Sequence, residues 1–213
     1  MSRVLAWDGC VNVRDLGGLP TEDGGVTRLG SVVRSDDPGR LTDEGRAELV
    51  AHGIRTVLDL RAAEELGDEP PREAPVDVVR IALMGERDGD YLRELAERGA
   101  TFQEWYLDTL ERHREPIARA LAAIADAPPG GVLVHCVGGK DRTGIVAALL
   151  LRLACVPVGA VADDYAAGEG EAPREAMLDV LAELDRRWGG AEAYLRGAGL
   201  GEAQLTRLRE RLR

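Results

Sequence analysis

Several residue types are scarce in this 213-residue sequence, and each scarcity excludes something. Lysine occurs once, at Lys140, while the other 26 of the 27 basic residues are arginine. Asparagine also occurs once, at Asn12. Aromatic residues make up 4%, with one phenylalanine, so a core has to be built from Leu, Val, Ala and Ile. Three cysteines, Cys10, Cys136 and Cys155, are too few for a disulfide framework, and an odd number leaves one unpaired, which points to a reducing compartment. Basic charge is in deficit, 27 residues against 38 acidic ones, for a net charge of −11. That balance excludes nucleic acid and anionic membrane surfaces as non-specific partners, and an anionic substrate has to be drawn in by a local basic patch. Long apolar runs are missing. The opening MSRVLAWDGC has no signal-peptide core, and residues 145–151, IVAALLL, fall far short of a membrane span. The expectation is a cytoplasmic protein without stable membrane insertion, with non-classical export and the oligomeric state left open.

What is present is an ordinary globular balance, 45% apolar and 31% charged. The length suits one domain spanning residues 1–213. Residues 1–40 are rich in turns, with a short β-rich stretch at 31–34. Thr42 is placed to cap a helix through about His52, with Gly53 as its stop. Residues 54–60, IRTVLDL, predict a buried strand, residues 62–75 an acidic, proline-bearing loop, and residues 76–83 another strand. Residues 90–127 have a helical pattern broken at Gly99 and Pro116. Pro128-Pro129-Gly130-Gly131 is a hard stop before a short apolar strand at 132–135. Residues 143–155 are apolar almost all round, hence a buried helix. Further helices are expected near 158–167, 173–188, 190–197 and 201–212. Strands alternating with helices predict an α/β fold with a mostly parallel sheet, covered by a C-terminal helical layer.

The stretch that joins the 132–135 strand to the buried helix is HCVGGKDRTG, and it holds the only lysine. A loop at a helix N-terminus presents N–H groups and the positive end of the helix dipole. Gly138 and Gly139 allow the backbone of residues 137–143 to curl into an anion cradle. Arg142 adds a planar fork able to grip two phosphate oxygens. Cys136 lies at the mouth, where the dipoles that hold a phosphate also favour a thiolate. A thiolate under a bound phosphate is placed for in-line phosphoryl transfer to sulfur. The spacing Cys136-x5-Arg142-Thr143 is the signature of cysteine-dependent phosphatases. The nucleotide-binding motif GxxxxGK[ST] fails here, because Asp141 follows Lys140. A sulfurtransferase-like cysteine loop or a phosphate-binding module without catalysis are the alternatives. The first is usually shorter, and the second usually lacks the Cys or the Arg.

HCVGGKDRTG resembles the loop of the bacterial atypical tyrosine phosphatases. The resemblance extends to Asn12-Val13-Arg14-Asp15-Leu16-Gly17-Gly18, to Arg34-Ser35-Asp36 with Leu41-Thr42, to Asp59-Leu60-Arg61 with Glu64, and to Tyr194-Leu195 with Gly199-Leu200. It implies a largely parallel four- to five-stranded sheet wrapped by helices. It also implies activity on phosphotyrosine, often with phosphoserine/threonine or phosphoinositides as further substrates, and neither metal nor organic cofactor.

Roles follow from both readings. Cys136 is the expected nucleophile, Arg142 the clamp on the phosphoryl oxygens, and Val137, Gly138, Gly139, Lys140 and Thr143 line the phosphate site. Thr143 is placed to donate to the Cys136 sulfur, and His135 to brace the loop. No Trp-Pro-Asp loop exists to supply a general acid. The resemblance assigns that role to Asp141, with Asp108, 28 residues before Cys136, as the alternative. Lys140 offers a compact ammonium at the rim for a second phosphate, and the resemblance ties it to phosphoinositides. Arg14 and Asp15 are read as tying the N-terminal loop to the back of the phosphate loop, and Asp59 and Arg61 as support at a strand end. Tyr91, Phe102, Trp105 and Tyr106 concentrate half of the aromatic residues in 85–115, a candidate lid.

Overall fold

The computed structural model describes residues 3–67, 76–85, 88–168 and 173–213. Its sheet contains β1 (Arg14–Asp15), β2 (Val32–Ser35), β3 (Ile54–Asp59), β4 (Asp77–Arg80) and β5 (Gly131–His135), in the order β1-β2-β5-β3-β4. Only the β1–β2 pairing is antiparallel. This is the expected largely parallel α/β sheet. The chain leaves a gap between β2 and β3 that β5 fills later. The connections therefore diverge at β5, and a crevice opens beyond the strand C-termini, where α/β proteins place their sites.

Alternation along the strands divides the core in two. Val32, Leu58, Val132 and Val134 face the larger cluster. Val33, Val57 and Leu133 face a smaller one with Trp7 and Leu49. Helix α1 (Asp43–Ala51) contributes Leu49 to that smaller layer, and the Thr42 hydroxyl caps it by accepting from Gly45 N–H at 3.2 Å. The larger layer contains α3 (Phe102–Arg112), α4 (Arg114–Asp126), α5 (Asp141–Leu153), α6 (Val158–Ala166), α7 (Arg174–Trp188), α8 (Ala191–Gly197) and α9 (Glu202–Leu212). Helix α2 (Gly89–Glu97) adds Tyr91 and buried Leu95 beside it. Helix α5 is buried on nearly every side. Truncating a leucine such as Leu150 to Ala there should cost about 2–5 kcal/mol.

Four expectations shift. Pro116 does not break a helix; it is the third residue of α4, where the first-turn N–H it lacks would have had no helical acceptor. The break falls at His113, whose backbone leaves the helical region. The strand expected over 76–83 is only β4, a mostly exposed edge strand. The buried helix begins at Asp141 rather than Thr143, and it ends before Cys155, whose φ of +60° cannot continue a right-handed helix. The loop expected at 62–75 holds a 3-10 turn at Ala63–Glu65, and its residues 68–75 lie outside the described residues.

Candidate active site

β5 delivers His135 and then Cys136 to the crevice, and residues 137–140 curl back to start α5. The curl is held from outside, carbonyl by carbonyl. Cys136 O meets His135 Nδ1 at 3.0 Å, and Val137 O accepts from Asp37 N–H at 3.1 Å. Gly138 O accepts from Asn12 Nδ2 at 2.8 Å. Gly139 O and Lys140 O accept from Arg34 Nη2 at 2.9 and 3.3 Å. While the carbonyls are engaged, the N–H groups are not: among the described residues, those of 137–143 find no protein acceptor. Gly139 makes the curl sterically possible. Its φ is +64°, and a Cβ there would lie 2.3 Å from Ser35 O. Cys136, at the start of this loop, is 3% exposed.

Arg142 occupies the first turn of α5. Its two terminal nitrogens grip Glu65, Nη1 to Oε2 at 2.5 Å and Nη2 to Oε1 at 2.6 Å. A carboxylate on that end of the fork fixes the plane of the guanidinium and leaves the edge carrying Nε free for a second anion. The Arg142 hydrogen bonds hold Glu65 below the usual carboxylate range, while burial opposes this. Burial works against the Arg142 charge, yet Glu65, Cys136 and Asp141 together raise its affinity for a proton.

Asp141 opens α5 and faces a cleft of about 330 Å³ whose other lining includes Leu95, Phe102 and Trp105. Tyr106 donates to Asp141 Oδ1 at 2.7 Å. Burial and the adjacent Asp141 push the Tyr106 phenol far up, so it stays a donor. Asp108 is two residues further along α3, turned about 200° around the helix axis from Tyr106. It pairs with Arg112 at 2.8 Å instead. Lys140 Nζ stands 5.5 Å from the centroid of the Phe102 ring, at the rim of the same cleft. Of the ring-bearing residues in 85–115, Tyr106 is fully buried and Phe102 is 38% exposed, so the segment both packs the core and walls the cleft.

Below the loop lies a buried charge cluster. Arg14 and Arg34 stand directly opposite each other across β1 and β2, a like-charged pair that would repel. Asp164, from α6, reconciles them. Its Oδ2 accepts from Arg34 Nη1 at 2.9 Å, its backbone carbonyl accepts from Arg14 Nη2 at 3.1 Å, and its Oδ1 pairs with Arg3. Burial alone would raise the Asp164 proton affinity, but Arg34, Arg3 and Arg14 lower it overall. Burial and the facing Arg34 push Arg14 down to about 10. Asp36 fixes the N-terminal loop by accepting from Asn12 N–H at 3.1 Å, so Asn12 reaches Gly138.

Among the residues singled out from sequence, Cys136, Val137, Gly138, Gly139, Lys140, Asp141, Arg142 and Thr143 come together. Asp59 grips Arg61 with both oxygens, at 2.9 and 3.0 Å, and Arg61 reaches Asp37 at 2.7 Å, next to the Val137 contact. His135 Nε2 lies 3.6 Å from Asp59, and burial lowers its proton affinity, which suits bracing by a neutral ring. Arg14 acts on the loop through Asn12, to which it donates. Asp15 does not join: it accepts from Gly17 N–H and Gly30 N–H and meets His52 Nε2, because alternation along β1 turns it away from Arg14. The hydrogen bond expected from Thr143 to sulfur is not formed. Its hydroxyl is buried and without a hydrogen-bond partner among the described residues, at the third position of α5. Glu64, which the resemblance included, is exposed, and it is its neighbour Glu65 that reaches the site. Sequence reasoning missed Asp164, Tyr165 and the role of Tyr106. Their positions carry no motif, and the hint of burial at Asp164 is that the residues three and four away from it, Ala160, Val161, Ala167 and Gly168, are all small or apolar, although Asp163 beside it is exposed. Cys10 is a bystander whose thiol burial and Asp36 push up to about 12. Among the described residues, no group of three or more His, Cys, Asp or Glu is arranged to hold a metal ion.

Comparison with known proteins gives relatives along most of the chain. A tyrosine-protein phosphatase of Nostoc commune is 34% identical over 216 residues, covering 84% of this chain and 73% of that protein. The triple specificity protein phosphatase PtpB of Mycobacterium tuberculosis is 25% identical, covering 94% of this chain and 96% of its own length. Among solved structures, the Siw14 catalytic core aligns over 80% of this chain and 92% of its own, with a TM-score of 0.47 and 16% identity. Residues 5–172 and 169–213 match the family profile, and the chain belongs to the tyrosine phosphatase family.

Proposed function

We propose that this chain hydrolyses phosphate monoesters, phosphotyrosine foremost, through a phosphocysteine intermediate. The observation that carries the reading is the loop next to buried Cys136: carbonyls 136–140 are bound by neighbouring groups, and among the described residues the N–H groups of residues 137–143 have no protein acceptor, which leaves them for an anion. The phosphoryl group lies in the cradle with its equatorial oxygens on the N–H groups and on the free edge of Arg142. The Cys136 thiolate attacks phosphorus in line, and the bond to the ester oxygen breaks. Asp141 supplies the proton that the leaving oxygen needs. Water then attacks the phosphocysteine, Asp141 takes its proton, and inorganic phosphate leaves. Preorganised donors around the charge that develops in flight supply most of the rate, since they need no reorganisation. Thr143 is available to donate to the departing sulfur.

The cleft beside Asp141 suits an aryl ring, with Phe102 and Trp105 for stacking. The relative named for triple specificity supports a range wider than phosphotyrosine, including phosphoserine/threonine. Lys140 at the rim supports phosphoinositides as a second class, because its ammonium is left to meet a neighbouring phosphate while Arg142 serves the scissile one. Cys136→Ser should abolish p-nitrophenyl phosphate turnover yet keep phosphate affinity, measured by calorimetry. Arg142→Ala should lose both. Substantial turnover by Cys136→Ser would overturn the covalent route.

A further inference from the structure

Behind Asp141 lies a feature that no catalytic motif records. Tyr106 donates to Asp141 Oδ1 at 2.7 Å, and Tyr165 stands behind Tyr106 with the two hydroxyls 2.5 Å apart. The rings meet edge to face, 5.7 Å between centroids at 84°, and both residues are no more than 1% exposed. Tyr106 comes from α3, Tyr165 from α6 and Asp141 from α5, so three helices converge on one carboxyl. Gly144, one turn along α5, makes room for the arrangement: a Cβ there would press on Tyr165 Cδ2 at 3.1 Å.

A phenol has one hydrogen to donate. Tyr106 spends its hydrogen on Asp141, so the hydrogen between the two phenols belongs to Tyr165. The opposite polarity would start with a proton on Oδ1, pass through Tyr106 and end on Tyr165, whose own hydrogen then has no acceptor among the described residues. A buried hydroxyl hydrogen without an acceptor is costly. The chain therefore runs one way, from Tyr165 to Tyr106 to Asp141.

We propose that Tyr165 and Tyr106 form a one-way hydrogen-bond relay that pins Asp141 Oδ1 as an acceptor and thereby makes Oδ2 the oxygen that carries the proton to the leaving group. Both tyrosines are positioning residues, and the proposal rests on the assignment of Asp141 as general acid. The relay serves both half-reactions. While Asp141 is a carboxylic acid, Oδ1 accepts from Tyr106 as a carbonyl. Once the proton has passed to the ester oxygen, the same bond strengthens against the new carboxylate, and water later returns a proton to Oδ2. Fixing the carboxyl by 2.7 Å contact also stops it from swinging to Arg142, the nearest cation on its own helix.

The test compares phenyl phosphate, whose leaving group needs a proton, with 2,4-dinitrophenyl phosphate, whose leaving group does not. Tyr106→Phe keeps the ring and removes the hydroxyl. It should cost kcat on the phenyl ester about tenfold more than on the dinitrophenyl ester, the scale of one hydrogen bond to a charged group. Tyr165→Phe should show the same preference at smaller size. In an Asp141→Asn background, Tyr106→Phe should add no further leaving-group dependence. Vanadate affinity and melting temperature report whether each variant is folded. If Asp141→Asn shows leaving-group dependence and Tyr106→Phe depresses both esters equally, the relay is wrong and the acid assignment stands. If Asp141→Asn itself shows no such dependence, the acid assignment fails and the relay fails with it.

Discussion

Asp164 offers the sharpest test of how the phosphate loop is supported. It is 2% exposed and, among the described residues, is the carboxylate that pairs with Arg3, Arg14 and Arg34. Asp164→Asn keeps the shape and removes the charge. Arg14 and Arg34 are then left opposite each other across two strands with, among the described residues, no ion-paired carboxylate, only neutral acceptors. Removing one partner of a buried ion pair costs about 3–5 kcal/mol, because the remaining charge stays buried. For a chain of this length each kcal/mol lowers the melting temperature by roughly 2–4 °C, so the loss should be on the order of 10 °C. Arg34 also holds Gly139 O and Lys140 O, so vanadate affinity should fall with stability. Adding Arg14→Met should restore part of the melting temperature, since repulsion is then relieved, although Arg14→Met alone destabilises. The pH dependence has a definite sign. The three arginines keep the folded Asp164 below its unfolded value, so its contribution is present above about pH 4 and is lost as pH falls through the folded value. The gap between wild type and Asp164→Asn should therefore narrow in acid. Differential scanning calorimetry from neutral to acid pH measures this. A variant that melts within about 2 °C of wild type at neutral pH, with unaltered vanadate binding, would refute the cluster as the loop's foundation.

Two further outcomes follow from the loop itself. Gly139→Ala adds a methyl group 2.3 Å from Ser35 O at a φ of +64°, so the curl must open; phosphate affinity by calorimetry should drop at least about tenfold, beyond the ~1 kcal/mol of backbone strain alone. Lys140→Ala should cost phosphoinositide hydrolysis roughly tenfold to a hundredfold more than p-nitrophenyl phosphate hydrolysis, in the range of a charged hydrogen bond, with equal losses showing that Lys140 supports the loop instead.

The sequence alone determined whatever depends on neighbours along the chain. The Thr42 cap, the stop at Gly53, the apolar run into the loop and the Cys136-x5-Arg142 spacing are local, and each appears where the pattern puts it. Once the strands pair, alternation puts Val33 and Leu133 in one layer and Val32 and Val132 in the other. Tertiary structure decided what pairs with what. Arg14 and Asp15 look like one unit in sequence, but the pleat of β1 sends the first to the loop and the second to His52. Glu65 meets Arg142 from 77 residues away, Tyr106 meets Asp141 from 35, and Arg34 meets Asp164 from 130. No short-range pattern encodes such partners. A buried charge or phenol has to find a counterpart once water is excluded, and the packing of β2 and helices α3, α5 and α6 determines which residue is within reach.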